Sequence, residues 1–89
     1  PLSACSEPSN SLKKQIDSYK NQLDNLSAQI NEKRDQLNNT NPRSEQYNNL
    51  VDQYNQLVRQ YQLLADESKE FITQYNSQVN AFNQCVAGN

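Results

Sequence analysis

Tyr47-Asn48-Asn49-Leu50-Val51-Asp52-Gln53-Tyr54-Asn55-Gln56-Leu57-Val58 repeats itself after seven residues, as Tyr-Asn-x-Leu-Val. Seven residues are almost two turns of an α-helix, so such a repeat returns to one side of the helix. With Tyr47 as position a, the series runs Tyr47, Tyr54, Tyr61, Ser68, Tyr75, Phe82. Position d holds Leu50, Leu57, Leu64, Phe71, Gln78 and Cys85, and position e holds Val51, Val58, Ala65, Ile72, Val79 and Val86. The unit continues in degraded form as Tyr75-Asn76-Ser77-Gln78-Val79 and Phe82-Asn83-Gln84-Cys85-Val86. No Gly or Pro interrupts it. The spacing predicts one helix over about 43–86, opened by Pro42 or Ser44 and near 65 Å long at about 1.5 Å per residue.

Upstream the rhythm is narrower. Leu12, Ile16, Tyr19, Leu23, Leu26, Ile30 and Leu37 step by four and three, with Lys33 as the one polar member. That is the a/d stripe of a coiled-coil seam. Lys13–Asp17 and Lys20–Asp24 fall at i,i+4, where ion pairs support an exposed helix face. Pro8 suits a first helical turn, and Asn38-Asn39-Thr40-Asn41-Pro42 is a breaker in which Asn can take the left-handed capping conformation. The expected organisation is one domain over 1–89: tail 1–7, helix about 8–39, turn 39–43, helix about 43–86.

Two amphipathic helices with a short connection pack antiparallel. The fold class is therefore all-α, a two-helix coiled-coil hairpin. Pairing a with d allows two registers. When paired numbers sum to 80, Ile16 meets Leu64; when they sum to 87, Ile16 meets Phe71, Leu23 meets Leu64 and Leu26 meets Tyr61. The Asn41-Pro42 turn favours 80. A bridge between the cysteines favours 87, because Pro8 then lies within about 9 Å of the level of Cys85, a gap three extended residues cover. Of the two, 87 is preferred and 80 stays open.

Cys5 and Cys85 are the only cysteines. A pair at the two extremities reads as a staple in an exported chain. Leu2-Ser3-Ala4-Cys5 offers a second reading, a lipoprotein box in which Cys5 carries a lipid, and only that reading brings a membrane in. Both readings place the chain outside the cytoplasm.

Of the 89 residues, 34% are apolar, the net charge is −2, and His, Met and Trp are absent. There is no His base, no Gly-rich phosphate loop and no metal-ligand set, so catalytic, cofactor and metal sites are not expected. A slightly acidic chain is a poor partner for nucleic acid. No small-molecule substrate is indicated. Asn25-Leu26-Ser27 and Asn38-Asn39-Thr40 match the glycosylation sequon, as chance permits in a chain with 14 Asn. The tyrosines and the polar seam residues Lys33, Ser68 and Gln78 read as packing and register specification.

The Tyr-Asn-x-Leu-Val units of the second half resemble coiled-coil segments of secreted bacterial proteins. The resemblance implies an exported coiled coil and supplies no active site. The e stripe is what a two-stranded seam does not need. Residues 71–89 carry no charged side chain, and uncharged β-branched rows are what interfaces look like. Val51, Val58, Ile72, Tyr75, Val79, Phe82 and Val86 are the expected contact residues for a protein partner or for self-association, in the simplest case a dimer forming a four-helix bundle. The function expected is structural or protein-interacting. A surface-filament subunit and a secreted inhibitor or toxin-like ligand are the alternatives.

Overall fold

A computed structural model describes residues 4–88. Helix α1 spans Asn10–Asn38 and α2 spans Glu45–Gly88, packed antiparallel along α1's length. The molecule is a rod of 69 × 17 × 15 Å. Its radius of gyration is 20.4 Å, against about 12 Å for a compact domain of this length.

The N-terminal ends of both helices are set by serine. Ser9 accepts a hydrogen bond at Oγ from the Leu12 N–H, 3.1 Å, which caps α1 and places its start two residues beyond Pro8. Ser44 does the same for α2, accepting from the Tyr47 N–H at 3.1 Å. Between them Asn41 organises a tight turn: its side chain accepts from the Arg43 N–H and its carbonyl accepts from the Ser44 N–H. Pro42, with its fixed φ, sits inside this turn and not in the helix.

Two local expectations are corrected. Asn39 closes α1 at φ −105°, ψ 9°, and no described residue has positive φ. The last carbonyls of α1 are satisfied instead by the Asn39 amide on Asp35 and the Thr40 hydroxyl on Gln36, so no left-handed residue is needed. Lys13–Asp17 and Lys20–Asp24 do not close either. Lys69–Asp66 is the ion pair among the described residues, at 4.0 Å and largely exposed. Exposed pairs gain little against the entropy of holding two long side chains.

The contacts between the helices give the register. The Ser9 N–H donates to Gln78 Oε1 at 2.8 Å, the Tyr19 hydroxyl donates to Glu67 at 3.3 Å, and the Tyr19 ring stacks on Phe71 at 5.4 Å. These numbers sum to 87, 86 and 90. The 80 register would instead set Tyr19 level with Tyr61. α2 then overhangs α1 by roughly three turns. Cys5 and Cys85 are disulfide-bonded, with Cα atoms 5.7 Å apart, so the tail before α1 is tied to this overhang. A sulfur held in that bond is not free to carry a lipid thioether.

The core is a thin line. Among the described residues only Cys5, Leu12, Leu26, Leu50 and Ser68 are buried, and none has its side chain completely enclosed. Two helices have one contact line between them, so every other seam residue stays partly wet.

Candidate functional site

The seam has two flanks that face opposite ways. Taking Ile16 as a on α1, positions e and g of both helices line those flanks. Each flank has its own chemistry.

The e flank joins Lys13, Lys20, Ser27 and Arg34 of α1 to the apolar row of α2. Val51, Val58, Ala65 and Val79 are half-buried, while Ile72 and Val86 remain 40% and 37% exposed. A cleft of about 290 Å³ opens here between Lys20, Leu23, Asp24, Tyr61, Ser68 and Ile72. Tyr75 and Phe82, expected among the contact residues, are half-buried on the overhang. The overhang also carries Cys85, so the tail through Cys5 lies along the same end. The structure brings the seven expected contact residues onto one helix but leaves them unequally open: Ile72 and Val86 are the most accessible.

The g flank was not singled out from the sequence, yet its signal is there. Gln15, Gln22, Gln29 and Gln36 on α1 and Gln46, Gln53, Gln60 and Gln74 on α2 each fall on the heptad position g. Eight of the chain's twelve glutamines thus share one flank. Coiled coils usually place charged pairs there; here Glu67 is the single charge on either g row. The flank opens as a groove of about 590 Å³ between Gln15, Gln22, Gln60 and Glu67, floored by Tyr19 and Leu64. A second groove of about 430 Å³, nearer the turn, lies between Gln36, Gln46 and Leu50. Leu63 borders the first groove and is 65% exposed, the most open large apolar residue described. It sits at position c, outside the a/d/e pattern, and so escaped the periodic reading.

Tyr19 lies between the flanks. Its partial removal from water, then the negative charge of Glu67 and the hydrogen bond to it, hold its phenol above the ordinary pKa of 10.0. Opposite it, at the same level of the seam, Ser68 is the most buried residue, 6% exposed. Its hydroxyl donates to the Ala65 carbonyl within α2 at 2.8 Å. Among the described residues no cluster of His, Cys, Asp and Glu could hold a metal ion, and no helix is long and apolar enough to cross a membrane.

Searches of protein-family models, of curated proteins and of solved structures find no match to this chain.

Proposed function

We propose that this chain is a non-enzymatic, exported coiled-coil hairpin that acts as a structural or protein-interaction module, docking through the e flank of α2. The observation that carries the reading is the unbroken row Val51, Val58, Ala65, Ile72, Val79 and Val86, still partly exposed after α1 has packed. The row has a glutamine- and asparagine-rich border at position b, where Lys69 is the only charge. Charge depletion on that side of the row lowers the desolvation cost of covering it, while Lys13, Lys20 and Arg34 of α1 edge the other side. The disulfide supports an exported setting, since such bonds persist outside the reducing cytoplasm.

The partner proposed is a second copy, joined about a two-fold axis into a four-helix bundle. The chain exposes 6673 Å², where a compact protein of 10.2 kDa exposes about 5,300 Å². A standard interface covers roughly 800 Å² on each partner, less than this excess. The test is I72K/V79K, followed by sedimentation velocity and circular dichroism. The reading expects weakened association with the helical signal retained. Loss of the helical signal in the monomer would mean the row is internal core, and unchanged association would place the contact elsewhere.

A further inference from the structure

We infer that the glutamine flank is a second self-association surface, whose occupant is another copy of this chain related by a two-fold axis. The two surfaces lie on opposite sides of the seam; the self-contact of the glutamine flank is argued without the e flank, and only growth past the dimer rests on the e-flank reading as well.

Three observations carry it. The first is self-complementarity. A carboxamide both donates and accepts, so a row of glutamines finds its best match in an identical row, whereas charged rows would need an opposite partner. On this flank the g rows are amide from end to end except for Glu67, Ala81 and Gly88. The second is that the amides are unengaged. Gln22 bonds to Ser18 and Gln36 accepts from Lys33, but Gln15, Gln29, Gln46, Gln53, Gln60 and Gln74 make no side-chain hydrogen bond among the described residues. No ion pair crosses between the helices there either. The third is Leu63, 65% exposed on the groove rim. Its neighbours on α2 include Arg59, Asp66 and Glu67, while the amides Gln15, Gln22 and Gln60 share its groove; an apolar anchor with a polar rim is the layout of an interface centre.

Area also permits it. The rod's surface exceeds that of a compact chain by about 1,400 Å², so covering one flank at roughly 800 Å² leaves about 600 Å² of that excess, enough for a smaller second contact. Two different two-fold contacts on opposite flanks do not close at a dimer. They extend into an open ribbon of hairpins lying side by side.

The test compares the disulfide-bonded wild type with Q22E/Q60E, with I72K/V79K, and with all four changes together, by sedimentation velocity over a wide concentration range. Gln22 and Gln60 are exposed, and their change to Glu sets like charges against each other across the two-fold contact; because both share a groove with Glu67, circular dichroism must show the monomer's helical signal retained. Wild type should grow past the dimer. Q22E/Q60E should stop at the dimer, with at least a tenfold higher concentration for growth at low salt, and should recover in about 1 M salt, where the Debye length is about 3 Å. I72K/V79K should still dimerise, through the glutamine flank, and the fourfold variant should be monomeric. The inference is overturned if Q22E/Q60E assembles like wild type at low salt, or if I72K/V79K is monomeric. The first outcome leaves the e-flank reading intact, the second supports it alone, and a wild-type monomer at every concentration overturns both.

Discussion

Gln78 sits at seam position d, and its side-chain amide oxygen serves the first turn of the other helix. In a capping box the third helical residue returns a side chain to the cap's backbone N–H. In α1 that residue is Leu12, which cannot, and Gln78 supplies the missing acceptor from α2. Ser9→Ala should therefore cost about 1 kcal/mol, and Gln78→Ala about 0.5–1.5 kcal/mol, both read from urea midpoints with the disulfide intact. A negligible loss in Gln78→Ala would show that water replaces the amide. Tyr19 makes a pH-dependent contribution of definite sign. Its folded pKa is raised above the usual 10.0, so its share of stability is complete below that pH and is lost as pH rises through the folded value. Alkaline melts of wild type should fall more steeply above pH 10 than those of Tyr19→Phe. A phenolate absorbance titrating above the ordinary range should vanish in the same variant; its persistence would assign the shift to another tyrosine.

At the scale of the helices, one level of the seam opposes a large residue to a small one. The register sets Tyr19 level with Ser68, and the serine's burial lets the ring lie over α2 and reach Phe71. Ser68→Leu should overpack this level and destabilise by about 1–3 kcal/mol. Ser68→Ala should be near neutral, since the lost hydroxyl bonds only within its own helix. Denaturant unfolding of the pair checks this; equal losses would mean the hydroxyl and not the volume matters. Much of this level was legible beforehand. Heptad spacing gave two helices and their faces, because a period near 3.5 has no other regular solution. The register was not legible from apolar pattern alone, because both candidate sums pair a with d. It is marked by the polar contacts of Gln78 and Glu67, whose partners lie 69 and 48 residues away. Leu63 and the glutamine rows were missed for a different reason: hydrophobic periodicity weighs apolar residues, and an amide row is silent on that scale.

The molecule as a whole is a long lever with a thin core, and the Cys5–Cys85 bond closes 80 residues at its open end. Loop-closure entropy assigns such a bond about 4–5 kcal/mol, an amount comparable to the whole stability of a small two-helix core. Reduction with a dithiol, or Cys5→Ser with Cys85→Ser, should lower the thermal midpoint sharply; a shift of only a degree or two would mean the seam holds by itself. The same bond also decides how the rod meets mechanical force. Tension entering before Cys5 and leaving after Cys85 crosses between two Cα atoms 5.7 Å apart and never loads the helices. The hairpin hangs to one side of the stressed path, as a pendant and not a link. In an optical trap the oxidised protein should show no unfolding step when pulled from outside the bridge. Reduced, it should release roughly 270 Å of hidden chain, the contour of some 80 residues at about 3.4 Å each. A step of that size without reductant would show the load passing through the seam.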